Sequence, residues 1–283
     1  MTKKFILNNL SSFSMKQIVD SGQAFRWDEF GEGHFVGVIY DRIIELIQDK
    51  DKVTLINVDQ ADYDSFVRDY FDMDRDYDVI KDFLRGRDEH LDSAIDFGSG
   101  IRILNQDLWE MIITFIISGN NNIPRIKKSI FKISKKYGKY LGRVGENDYY
   151  SFPTPEELSR ATIDDLRECG VGYRDKYIHK TTNMIINNEV DLDLVRNSDY
   201  KESKEILKKL TGIGDKVADC ILLFSCKKIN AFPVDTWVKK ILTEYYGLKK
   251  TSIKDVEGFI NEHFGKYSGI AQQYLFYYIR SIS

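Results

Sequence analysis

Near residue 62 the hydrophobic period of this chain changes from two residues to about 3.6, a pattern that selects a sheet followed by helices. Upstream, 25–30, 34–40, 42–48 and 52–58 are short, partly alternating and rich in β-branched and aromatic residues. Gly31-Glu32-Gly33 and Asp49-Lys50-Asp51 punctuate them as turns, so an antiparallel meander is expected. Downstream, the spacing predicts short helices over 63–71, 76–84 and 89–96. The stretch 107–118 is apolar nearly all round, the signature of a buried central helix. Thr154-Pro155-Glu156-Glu157 joins an N-cap, a proline at the first helical position and a capping-box glutamate, and Thr162-Ile163-Asp164-Asp165 is a weaker form of the same signal. Further helices are expected over 174–188, 200–210, 216–226, 236–246, 253–264 and 269–281. The expected fold class is α+β: a β-rich part with short helices at 1–100 and an all-helical body at 101–283. No Ser/Gly linker separates the two, so they are expected to pack together.

With 283 residues, four prolines and 13% aromatics, the chain can bury a core and is neither disordered nor collagen-like. No apolar run reaches the roughly 18 residues of a membrane span, and the N-terminal apolar stretch is too short for a secretory leader. Cys169, Cys220 and Cys226 form no CxxC pair, which fits a reducing cytoplasm better than a disulfide framework or zinc ribbon, and with no basic nuclear-targeting tail in view a prokaryotic cytoplasm is expected. The net charge of -3 conceals an asymmetry. Residues 1–100 carry 12 Lys/Arg against 21 Asp/Glu, whereas 101–283 carry 29 against 23. The mildly basic second part suits a polyanion, although a solvated surface gives the same count.

The segment from Leu210 to Cys220 lies between two helical patterns and places Gly212 and Gly214 around Ile213 in a tight turn. Asp215 is placed to cap the next helix, whose apolar face is Val217, Cys220, Ile221 and Phe224. Backbone N–H groups left exposed at such a helix start form an anion site that needs no basic side chain. An ordinary helix–turn–helix corner has the same glycines, so the turn alone leaves both readings open. Lys216 adds chemistry. A lysine in the first turn sits at the positive end of the helix dipole, which disfavours its ammonium form. A neutral amine is a nucleophile competent for Schiff-base formation. Asp235, in Phe232-Pro233-Val234-Asp235-Thr236-Trp237, reads as another N-cap. Its carboxylate could also take the amine's proton or stabilise a developing cation.

The hairpin followed by Pro233-Val234-Asp235 resembles the helix-hairpin-helix DNA glycosylases, and among them the 8-oxoguanine DNA glycosylase/lyase family. The resemblance sets the hairpin at about 201–226 and the Pro/Asp loop at 232–236. It implies that Lys216 attacks C1′ of the damaged nucleotide and displaces the base, and that the resulting Schiff base permits β-elimination 3′ to the lesion, assisted by Asp235. The similarity covers most of the chain. Ser21-Gly22-Gln23-Ala24-Phe25-Arg26-Trp27 resembles the family's first-strand motif, in which a glycine carbonyl, here Gly22, accepts from the N7–H of 8-oxoguanine. Guanine N7 is an acceptor and would face that carbonyl with a lone pair. Without the family, Gly22 is a turn before a strand.

Asn120-Asn121-Asn122-Ile123-Pro124-Arg125 reads by itself as a polar cap. The resemblance has Asn120 fill the gap left by the flipped base and Arg125 contact the orphaned cytosine. In Cys169-Gly170-Val171-Gly172-Tyr173-Arg174 it makes Tyr173 the wedge into the base stack and Arg174 a second cytosine reader. In the last helix Gln272 would pair with the Watson–Crick edge of the flipped base. Phe276, four residues on and on the same face, would stack on one side of it and Cys220 on the other. Gly212, Gly214 and Trp237 would meet phosphates. Trp237 stands where eukaryotic members usually carry a histidine, and an indole supplies only one N–H. Pro124 bears on where Arg125 points.

The resemblance implies a bifunctional enzyme acting on duplex DNA that contains oxidised guanine, with no cofactor. It leaves a monovalent cation at the hairpin carbonyls open. The sequence itself shows no metal site or membrane span, and a base-flipping enzyme of this size is expected to work as a monomer. The absence of cysteines after Cys226 excludes the iron–sulfur cluster of the endonuclease III branch. Asp72-Met73-Asp74-Arg75-Asp76-Tyr77-Asp78 alternates carboxylates like a calcium loop but has Tyr77 and Phe83 where glycine and glutamate are required. Two rival readings share the scaffold: a monofunctional glycosylase for alkylated bases, which would not need Lys216, and a DNA-binding module without catalysis.

Overall fold

The structure, a computed structural model, describes residues 3–248 and 253–282. Strands β1 (Lys4–Leu7), β2 (Trp27–Gly31), β3 (His34–Ile39), β4 (Arg42–Asp49) and β5 (Lys52–Ile56) form an antiparallel sheet in the order β1-β5-β4-β3-β2. The expected meander is present, and β1 is an addition to it. Four residues carry no readable period, and β1 exists because β5 pairs with it from Lys4↔Ile56 to Leu7↔Val53. β3 is buried at five of its six positions instead of alternating. Its second face is covered by a hairpin, β6 (Tyr140–Val144) and β7 (Asn147–Tyr150), whose Tyr149 packs on Val36 and Val38. Burial on both faces removes the alternation that marks a half-solvated strand. On the other face Trp27, Phe35, Leu46 and Leu55 pack with Met15, Ile18 and Phe71. Gly37 is required there, because a Cβ would lie 2.2 Å from the Trp27 ring.

The central helix, Leu108–Ser118, is buried from Leu108 to Ile117, as its uniform apolarity predicts. The expected later helices form at Asp175–Ile186, Tyr200–Leu207, Asp215–Ser225, Thr236–Glu244, Ile253–His263 and Ser268–Ile282. Both capping boxes, at Thr154 and Thr162, form as their sequences predict. The α+β class holds with one exception: the body is not wholly helical, since the β6–β7 hairpin lies inside it. A further helix, Ile123–Tyr137, was not foreseen, because the asparagines at 120–122 read as a polar cap at the end of the helix before them. Asn122 instead caps that helix by accepting from Arg125 N at 3.1 Å. Pro124 falls in the first turn, where its missing N–H costs nothing.

Helices Tyr77–Leu84 and Glu89–Phe97 precede residue 100, yet Tyr77, Ile80, Leu91 and Ile95 belong to the core cluster of the central helix. Phe97 packs on Tyr277 and Tyr278 of the C-terminal helix. The front part and the body therefore share a core. Polar ties cross the same boundary. Arg26 pairs with Glu110 of the central helix at 2.9 Å, and burial raises the Glu110 carboxyl above its usual range. Fully buried Gln23 donates to Arg102 O and accepts from Leu104 N. The acidic run 72–78 is used locally. Asp72 pairs with Arg75, Asp74 with Arg68 and Asp78 with Lys81, while Asp76 caps helix Tyr77–Leu84.

Candidate active site

The hairpin is built as its glycines require. Gly212 has φ +90°, and a Cβ there would lie 3.0 Å from the Tyr177 side chain, so only glycine fits. Gly214 has open space around it. One expectation is corrected here: Gly214, not Asp215, is the N-cap, and Asp215 is the first helical residue. Asp215 faces sideways, pairing with Lys208 at 3.1 Å and Lys204 at 3.8 Å. With no side chain over the helix start, the approach to its N–H groups stays open. Deeper in the motif, Lys204 pairs with buried Asp219 at 2.9 Å, and the Tyr200 hydroxyl donates to Asp219 at 2.7 Å. This clamp joins the two helices of the hairpin, and burial raises the Asp219 carboxyl.

The residues expected to do chemistry meet. Gly22, Lys216, Cys220, Asp235, Gln272 and Phe276 line one pocket, although they come from four separate stretches of sequence. Lys216, half-buried, has its Nζ 5.7 Å from the ring centroid of Phe115. Cys220 is one turn further along; burial pushes its thiol up to about 11, against an opposing pull from Lys216. Asp235 Oδ1 accepts from Val238 N at 2.8 Å and caps Thr236–Glu244. The cap fixes the carboxylate at the pocket edge. Gly22 has φ +81°, and a Cβ there would lie 3.2 Å from the Arg280 guanidinium and 3.5 Å from the Phe276 ring. Any larger residue would close the pocket on that side.

The two residues before Gly22 are held by the C-terminal helix. Gln273 Nε2 donates to Ser21 O at 2.7 Å, and Arg280 donates to Asp20 O. Gln272 is buried, and its Oε1 has no hydrogen-bond partner. A buried, unpaired amide oxygen carries a penalty of about 1–3 kcal/mol, which a ligand's N–H would relieve. Ser21, Phe115, Phe224, Pro233 and Gln273 complete the lining, and none of them was expected there as a site residue. Nothing in the pattern of Phe115 and Phe224 separates them from core. A larger cavity of ≈ 450 Å³ lies between β3, helix Ile123–Tyr137 and the β6–β7 hairpin, and it contains none of the expected site residues.

The other expected residues sit around the wedge turn. Of the three asparagines, Asn121 donates to Ile117 O and Asn122 caps a helix. Asn120 is exposed at φ +51°, with its side chain outside these caps. Arg125 is exposed in the first turn of its helix. Tyr173 is 60% exposed and packs edge-on against Tyr177, the residue that contacts Gly212. The wedge turn and the hairpin turn are therefore neighbours. Arg174 departs from the picture of a free base reader. It is buried, and it donates to Val171 O at 3.1 Å, to Gly119 O and to Asn120 O, both at 2.9 Å. These bonds use four of its five guanidinium N–H groups and leave one on Nη1. Trp237 is exposed, with Lys240 Nζ 5.7 Å from its ring centroid.

Among the described residues no group of three or more His, Cys, Asp or Glu side chains could hold a metal ion. A catalytic pocket beside a helix-hairpin-helix defines the class. Residues 113–265 match the HhH-GPD superfamily of base excision DNA repair proteins, and residues 5–112 match the N-terminal domain of 8-oxoguanine DNA glycosylase. The chain is 33% identical over 230 residues to a probable N-glycosylase/DNA lyase of Methanothermobacter thermautotrophicus, covering 74% of this chain and 72% of that one. It superposes on the apo crystal structure of Clostridium acetobutylicum 8-oxoguanine glycosylase/lyase with a TM-score of 0.93 at 44% identity, over 98% of both chains. The complex of that protein with double-stranded DNA containing cytosine opposite 8-oxoguanine gives 0.94 at 42% identity, covering 100% of this chain and 98% of that one. The chain belongs to the 8-oxoguanine DNA glycosylase family.

Proposed function

We propose that this protein is a bifunctional DNA glycosylase/AP lyase that removes 8-oxoguanine from duplex DNA. The observation that carries the reading is the meeting of the Lys216 amine, the Asp235 carboxylate and the unpaired Gln272 amide in one pocket. The flipped base would stack between Phe276 and Cys220, present its Watson–Crick edge to Gln272 and its N7–H to the Gly22 carbonyl. Lys216 Nζ attacks C1′ as the glycosidic bond breaks, and Asp235 stabilises the cationic sugar. The departing base takes one proton from the attacking nitrogen, and the other passes to O4′ as the sugar ring opens, which gives the imine. Abstraction of the C2′ proton then expels the 3′ phosphate.

Gly212 and Gly214 would bind a backbone phosphate, as would the indole N–H of Trp237. Tyr173 would fill the stack, with Asn120 and Arg125 on the orphaned cytosine. Arg174 supports this group by holding the Asn120 turn in shape. The enzyme is proposed to act as a monomer.

The test is borohydride trapping on a duplex with one 8-oxoguanine opposite cytosine, comparing wild type with Lys216→Gln. A covalent complex is expected with wild type alone, and the variant should still bind the duplex. Base loss without a covalent complex in wild type would favour the alkylbase-type monofunctional mechanism. Binding with no base loss would favour a non-catalytic module.

A further inference from the structure

We infer that Phe115 is a positioning residue for Lys216: its ring face holds the ammonium at the pocket wall until the amine is called on to attack. The inference rests on the function proposed above. Lys216 Nζ lies over the Phe115 ring, 5.7 Å from its centroid, within the ~6 Å reach of a cation–π contact. The ring is rigid and buried. It stacks on Phe224 at 5.6 Å with planes 17° apart, and it meets Phe25 edge-on at 6.1 Å. Phe115 stands on the central helix, so it holds the amine from outside the hairpin that carries Lys216.

An ammonium in the first turn of a helix faces unfavourable backbone dipoles and gains from a π face opposite it. The other groups around it are few. Its own helix supplies the Cys220 thiol, while Asp215 and Asp219 are engaged by Lys208 and Lys204. The Pro/Asp loop supplies Asp235, and the C-terminal helix supplies neutral Gln272 and Gln273. The N-terminal segment supplies only uncharged Ser21 and Gly22.

A ring face that attracts the ammonium opposes its release to attack, and that effect must follow the electron density of the ring. Truncating Phe115 would also open a core cavity, so the test keeps its shape. We would place 4-fluoro-, 3,5-difluoro- and 3,4,5-trifluorophenylalanine at position 115, which weaken the negative ring face stepwise with little change in volume. Single-turnover excision of 8-oxoguanine is then followed against pH, with borohydride trapping and duplex affinity measured alongside. The rising limb of the rate profile should move stepwise to lower pH, on the order of half a unit across the series, with affinity unchanged. A series with superimposable profiles and normal trapping overturns the role of Phe115 and leaves the proposed function standing. A wild-type protein that traps no DNA defeats that function, and this inference with it.

Discussion

Two single residues in the pocket carry measurable consequences of burial. The first is Cys220, whose thiol is pushed from an ordinary 9.0 to about 11. The folded protein keeps that proton where the unfolded chain releases it. Stability is therefore full below about pH 9 and is lost as pH rises from 9 to 11. On that linkage, Cys220→Ala should lose about 2 kcal/mol less than wild type between pH 8 and pH 10.5. Urea denaturation of both proteins at the two pH values checks this, and equal losses would discard the assignment. The second is Gln272, whose orphaned oxygen matches a ligand donor. Gln272→Ala should lower selectivity for 8-oxoguanine over 8-oxoadenine roughly tenfold or more, because the two share the N7–H and differ at the Watson–Crick edge, where recognition through buried hydrogen bonds is steep. Competition kinetics on paired duplexes would show it, and unchanged selectivity would take Gln272 out of the pocket's reading edge.

At the scale of the element, the hairpin depends on more than its glycines. The Asp219–Lys204–Tyr200 clamp fixes one helix against the other, and so fixes where Lys216 stands. Lys204→Met leaves Asp219 buried with its charge uncompensated and should cost about 3 kcal/mol. Lys208→Met removes a more exposed partner of Asp215 and should cost under ~1 kcal/mol. Thermal or urea unfolding of the two variants tests the difference; equal losses would mean that the buried pair is no clamp. Capping was legible in the sequence at Thr154, Thr162 and Asp235, where a side chain does it. It was misjudged at Asp215, because a glycine cap works by leaving the helix end bare. The Ile123–Tyr137 helix was obscured by the asparagines before it, of which Asn122 caps its start.

For the whole molecule, charge is the governing quantity. A chain of net charge -3 binds a polyanion only if its cations are gathered, and the surplus lies beyond residue 100. Binding to duplex DNA should therefore fall with salt, by about 0.9 log unit of affinity per log unit of salt for each phosphate neutralised. A titration series from low to moderate salt gives the slope directly, and a flat line would contradict phosphate-led binding. The shared core makes the acidic front part an integral wall of the pocket. Gly22 is placed by contacts with the C-terminal helix, 252 residues away for the Ser21–Gln273 bond.

The amino-acid sequence by itself determined the elements and the chemistry. Period, caps and turn glycines are local properties, the Lys216 and Asp235 readings came from the hairpin and the loop after it, and Gln272 entered only through the family resemblance. What only the tertiary structure decided was which distant side chains share a space. Phe115 and Phe224 look like any buried aromatic until the ammonium is seen over one of them. Arg174 looks like a free cation until its donors are found on the carbonyls of Val171, Gly119 and Asn120. β1 and the covered face of β3 were hidden for the same reason. Their burial comes from segments far along the chain, and no local pattern of hydrophobicity records a partner that packing alone supplies.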